Sequence, residues 1–155
     1  MKSLVMIALF YLSVFGNDLF KNELRNQMMS CELGSDPLLC VRAAQISLKE
    51  YQSMQTNPYD NYEKYRAGMY FNAGVQYNKI EDTTNACKIF KKAVEFSPNY
   101  SDANYNLGIC YYFGDGVGIN KIKAYEHFRV AAQQGNQNAQ KNLDIICKES
   151  PWACK

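Results

Sequence analysis

The residues of this chain whose types could do chemistry are one histidine, six cysteines and a run of closely spaced glycines. His127 is the only His among 155 residues. A zinc site built on several His is therefore excluded, and any Ser–His or Cys–His nucleophile would depend on this one ring. The run Gly114-Asp115-Gly116-Val117-Gly118 has the glycine content of a phosphate loop. It lacks the Lys-Ser/Thr of a P-loop and the strand of a dinucleotide-binding turn, so no nucleotide cofactor is expected. The cysteines contain no Cys-x-x-Cys pair, and nothing in the sequence around them would lower a thiol pKa. Metal ligation and redox catalysis thus give way to disulfide formation, which depends on compartment.

The compartment is legible at the amino terminus. Residues 1–16 carry a single Lys2, an apolar run from Leu4 to Phe15, and Gly16 ahead of polar Asn17-Asp18. The run is shorter than the roughly 20 residues that cross a bilayer, and its flanks are those of a signal peptide. Cleavage near Gly16 would start the mature chain at Asn17, in the periplasm or secreted. No cysteine follows the apolar run, so no lipoprotein anchor is expected, and no later stretch could span a membrane. An even number of cysteines in an exported chain favours a disulfide framework.

Net charge excludes another class of partner. Lys and Arg number 17 against 15 Asp and Glu, for a formal charge of +2. Without Lys2 it falls to +1. No basic cluster accompanies the 12 Tyr and 8 Phe, so these rings are packing and groove lining, not base-stacking platforms for nucleic acid.

The elements that must position these residues are helices. Asp18 to about Leu33 places Leu19, Phe20, Leu24, Met28 and Met29 on one stripe, with Asp18 as cap. Gly34-Ser35-Asp36-Pro37 ends it, and a second helix is expected from Leu38 to about Met54, with Val41, Ala44, Ile46, Leu48 and Tyr51 on its apolar face. Together residues 17–56 form a hairpin. Asn57-Pro58 marks the clearest internal break, too short for a flexible linker, so residues 17–155 are expected to be one domain. In the centre of the chain Leu107, Gly108 and Tyr111 form one apolar face. Ala124, Phe128 and Ala131 form another, which stops at Gly135. Ala139 lies 36 residues after Ala103, a solenoid period.

Leu107-Gly108, Tyr111, Gly114-x-Gly116-Val117, Lys123-Ala124, Phe128, Ala131-Ala132 and Gly135 resemble the Sel1-like repeat, a relative of the tetratricopeptide repeat, over residues 101–138. Asn120 stands where that family usually has Asp, and His127 where an aromatic such as Trp is common. A packing role for His127 therefore outweighs a catalytic one. Residues 67–100 resemble a tetratricopeptide repeat through Tyr70, Gly74, Tyr77, Ala86, Phe90, Ala93 and Pro98, with Ala73 smaller than the usual Leu. Residues 139–155 start another first helix with Leu143, Ile145 and Ile146. They then fold back as a cap, with Trp152 expected to cover the exposed end of the stack. The fold class is all-α, an α-solenoid of antiparallel helix pairs.

Repeat geometry narrows the fifteen possible cysteine pairings, because neighbouring antiparallel helices juxtapose residues equidistant from their turn. Cys31 and Cys40 bracket Gly34–Pro37, Cys147 and Cys154 bracket Ser150-Pro151, and Cys87 and Cys110 are centred on Pro98-Asn99. These three pairs are expected. The Cys31–Cys40 segment also resembles the bridged turn of the helicobacter-type cysteine-rich Sel1 proteins, with one residue more between the cysteines.

The resemblance implies function as well. In tetratricopeptide-like stacks the first helices line a concave groove that takes a protein or peptide. On this sequence that groove comprises Phe71, Asn72, Val75 and Asn78 from one unit and Tyr105, Asn106, Ile109 and Tyr112 from the next. It is an aromatic and amide surface suited to a peptide backbone. Some cysteine-rich Sel1 proteins are associated with penicillin binding and β-lactamase activity, which is the alternative. Ser-x-x-Lys, Ser-Asp-Asn and Lys-Thr-Gly are all absent from the sequence, so that chemistry has no recognised machinery here.

Overall fold

The computed structural model describes Cys31, residues 36–45 and residues 62–154. The expected signal segment, most of the first expected helix and the break at Asn57-Pro58 lie outside these residues. Six α-helices are described: α1 (Pro37–Ala44), α2 (Tyr62–Lys79), α3 (Thr83–Phe96), α4 (Ser101–Phe113), α5 (Lys121–Gln133) and α6 (Gln137–Glu149). A 3-10 turn, Pro151–Cys154, follows. Among the described residues there is no strand, and each helix packs against the next in chain order. The result is a stack of helical hairpins, α2/α3 and then α4/α5, with α1 before them and α6 with its turn after.

Two short sequence signatures build that stack. Ala86, Phe90 and Ala93 on α3 and Ala124, Phe128 and Ala131 on α5 occupy one helical stripe each, and all six are buried. Each phenylalanine sits against a glycine of the preceding helix. A β-carbon at Gly74 would lie 2.5 Å from Phe90 Cε1, and one at Gly108 would lie 2.6 Å from Phe128 Cδ1. The missing side chain is thus the space the ring fills, and the ring is the main apolar content of the pair. Side-chain caps fix where α3 and α5 begin. Asp82 accepts from Asn85 N–H, and Asn120, standing where an Asp was expected, accepts from Lys123 N–H at 3.0 Å. Gly114, at φ 88°, closes α4 with its N–H on the Cys110 carbonyl.

Three disulfides staple these elements, Cys31–Cys40, Cys87–Cys110 and Cys147–Cys154, with Cα–Cα separations of 4.8, 5.8 and 5.6 Å. They are the pairs that repeat geometry selects. The second one joins α3 to α4, across the boundary between hairpins.

Two expectations are corrected. Helix α1 ends at Ala44 with Gln45 as its C-cap, well short of Met54. Its last carbonyls are taken by α2, where Tyr65 Oη donates to Ala43 O at 3.1 Å and Arg66 Nε donates to Ala44 O at 2.9 Å. Ile46, Leu48 and Tyr51 lie outside the described residues. Trp152 does not cover the end of the stack either, since it is 60% exposed. Ala153 is buried in its place. In a 3-10 turn successive side chains splay by about 120°, so turning Ala153 inward and anchoring Cys154 to Cys147 turns the indole out.

No helix of the described residues is long and apolar enough to cross a membrane.

Candidate partner-binding surface

Helices α2, α4 and α6 occupy equivalent places in successive units, and the repeat period brings equivalent side chains into rows. Asn72 and Asn106 are 34 residues apart, and Asn142 follows 36 residues later. Val75, Ile109 and Ile145 repeat the same intervals. Sequence reasoning identified the first two members of each row and missed the third. The period that revealed the repeat would have supplied Asn142 and Ile145, had it been carried one unit further into the helix read as a cap.

The eight expected groove residues divide by what they touch. Phe71 leans on Phe90 and Tyr100, with ring centroids 5.9 and 5.2 Å away, and Tyr105 leans on Phe128 at 6.0 Å. Both rings are half-buried and support the core beneath. Asn72 and Val75 are half-buried, and Asn78 is exposed. Asn106 turns its amide onto its own helix, donating to Asp102 O at 2.8 Å. Ile109 and Tyr112 open onto a pocket of about 180 Å3 that they share with Phe113, Phe128, Asn142 and Ile145. Phe128 comes from α5 and the other lining residues from α4 and α6.

At this pocket Tyr112 organises charge. Its hydroxyl donates to Glu149 Oε2 near the end of α6, a bond that raises the phenol above its ordinary range. The Lys121 ammonium lies 3.0 Å from the centroid of the same ring. A phenol, a carboxylate and an ammonium from three helices therefore meet at one side chain.

His127 is held elsewhere. Asn104, 1% exposed, donates its amide to the carbonyls of Pro98 and Tyr100 at 2.8 and 3.0 Å. Its Oδ1 can then only accept, so His127 Nδ1, 2.9 Å away, carries the proton. The imidazole stacks flat on Tyr111, centroids 5.6 Å apart, and burial pushes its pKa down. This is a packing ring with a fixed tautomer. Among the described residues no group of three or more His, Cys, Asp or Glu is placed to hold a metal ion.

The family model of the Sel1 repeat matches residues 101–136. That segment is similar to a Sel1 repeat. Comparison with curated proteins and with solved structures returned no match. Sel1 repeats mediate protein–protein interaction. In this chain the Sel1 repeat spans α4, the glycine turn and α5. It supplies the second member of each row, together with Tyr112 and the Phe128 floor of the pocket. It ends at Asn136, whose side chain caps α6 by accepting from Ala139 N–H at 2.9 Å. Asn136 thereby fixes where the helix that carries the third member begins.

Proposed function

We propose that this chain is an exported, disulfide-stapled repeat protein that binds a protein or peptide along the row formed by α2, α4 and α6, in the periplasm or outside the cell. The observation that carries this function is the threefold recurrence of Asn72, Asn106 and Asn142 beside Val75, Ile109 and Ile145. Alternating amide and aliphatic positions match an extended peptide, whose backbone needs hydrogen-bond partners while its side chains need apolar contact. Export is supported by the apolar leader of residues 1–16 and by cysteines that are all paired among the described residues.

Mass mapping of non-reduced, protease-digested protein from its native compartment tests export. A start near Asn17 with intact bridges is expected, and a retained Met1 with free thiols would move the search for partners to the cytoplasm. For binding, Asn72→Arg and Asn106→Arg suit the purpose better than truncating Phe71 or Tyr105, whose rings also pack on the core. Both should weaken an identified partner at least tenfold with the helical circular dichroism unchanged. An affinity left intact by both variants would remove the groove.

A further inference from the structure

The three disulfides are not equally open to attack. Cys31, Cys40, Cys87 and Cys110 are each at most 3% exposed, whereas Cys147 and Cys154 are both only half-buried. Exchange requires a thiolate to reach a sulfur, so access ranks the Cys147–Cys154 bridge first. What each bridge holds gives the same order. Cys87–Cys110 joins two core helices, and a seam of the stack must part before it can be reached. Cys147–Cys154, with a sequence separation of 7, ties α6 only to the 3-10 turn behind it, so the end of the chain alone must move.

That turn depends on its bridge. Besides the disulfide, Ala153 N–H donates to Ser150 O at 2.9 Å and the Ala153 methyl is buried. Hydrogen bonds in a 3-10 turn are poorer than those of an α-helix, so these contacts hold it weakly once the covalent tie is gone. Glu149, the last residue of α6, directly precedes the turn and accepts from the Tyr112 hydroxyl. The end of α6 therefore connects the bridge to the pocket lined by Ile109, Tyr112 and Ile145.

We propose that Cys147–Cys154 is a redox latch. A dithiol reductant opens it while the other two bridges stay closed, freeing the end of α6 and withdrawing Glu149 from Tyr112 beside the pocket. One thiolate of the reductant bonds to a sulfur of the bridge, the Cys147–Cys154 bond breaks, and the displaced thiolate takes up a proton. The second thiol of the reductant then displaces the mixed disulfide. Two electrons pass to the protein, the reductant leaves as its own disulfide, and Cys147 and Cys154 end as two thiols. That a partner senses the change rests on the binding function proposed above.

The test treats the full oxidised chain with graded dithiothreitol, traps free thiols by alkylation and maps them by mass. Cys147 and Cys154 should be alkylated about tenfold or more faster than the other four cysteines, with the helical circular dichroism kept. In that partly reduced chain the Ile109 and Ile145 methyls should shift in isoleucine NMR, while those of Ile89 on α3 stay in place. Bridges that open together, or another bridge that opens first, would overturn the latch, as would unmoved Ile109 and Ile145 methyls. Cys147→Ser combined with Cys154→Ser makes the open form without reductant and should show the same shifts; should that variant not fold, the trapped native chain still decides. These readouts need no partner, so latch and groove fail separately. An identified partner should bind the partly reduced chain several-fold more weakly than the oxidised one. If it binds both equally yet is weakened by Asn72→Arg, the groove stands and the latch does not control it. If it is indifferent to both Asn72→Arg and Asn106→Arg, the groove fails and the alkylation order still judges the latch.

Discussion

Asn104 fixes the tautomer of His127, because an amide that spends both N–H groups on the Pro98 and Tyr100 carbonyls has only an acceptor left for the ring nitrogen 2.9 Å away. The same amide ties the turn before α4 to helix α5. Asn104→Ala strands the Pro98 carbonyl and an imidazole N–H in a buried place, while the Tyr100 carbonyl keeps the backbone N–H of residue 104. Its expected cost is about 2–3 kcal/mol, read as a lower urea midpoint with an unchanged slope. Asn104→Ser, which restores one donor, should lose less.

His127 also makes stability depend on pH. Burial lowers its folded-state pKa below the unfolded value of 6.5, so between the two the unfolded chain binds the proton first. The contribution is fully present above 6.5 and is lost as pH falls from there through the lower folded value. Urea titrations at pH 7.5 and 5.0 should show lower stability at the acid end. His127→Gln keeps a donor for Asn104 and should flatten the His-dependent part of that difference.

Glycine and phenylalanine are matched across the helix pairs. Gly108→Ala drives a methyl to within 2.6 Å of Phe128 Cδ1, a ring that is 1% exposed. A loss of about 1–3 kcal/mol is expected from overpacking. Combining it with Phe128→Leu should cost less than the sum of the two single changes, and a double-mutant cycle by thermal unfolding measures the difference. An additive pair would mean the two side chains do not compete for one space.

The cap of α5 gives a prediction of opposite sign for two similar residues. Asn120→Ala removes the acceptor for Lys123 N–H and should cost about 1 kcal/mol. Asn120→Asp keeps the acceptor and adds a negative charge at a helix N-terminus, so it should match or exceed the native stability. Chemical denaturation of both variants at low salt distinguishes the two outcomes.

How far the sequence carried depended on whether a feature repeats. Ala86-Phe90-Ala93 and Ala124-Phe128-Ala131 declare the second helix of each pair, Gly74 and Gly108 declare the first, and a solenoid follows from the spacing alone. Asn104 was illegible, standing between Ala103 and Tyr105 like any polar surface residue. Only the folded turn reveals the two carbonyls that draw it inside. Trp152 misled for a related reason, because size suggests burial whereas its place in a tight turn closed by Cys147–Cys154 decides otherwise. Asn142 and Ile145 were legible in principle, but a helix without a full partner helix was read as an end of the stack and not as a continuation of the row begun on α2 and α4.

The Cys87–Cys110 bridge bears on how the stack behaves as a whole. Repeat arrays unfold and flex at the seams between units, where only neighbour contacts hold. Here a seam is covalent, running from the last helix of one hairpin to the first of the next. Two modules that would otherwise melt in turn are joined into one cooperative block, and the bend between α2 and α4 is set before any partner arrives. On the proposed function, the row of α2, α4 and α6 would meet its partner as a template of fixed curvature, a gauge of the partner's shape and not a spring that wraps it.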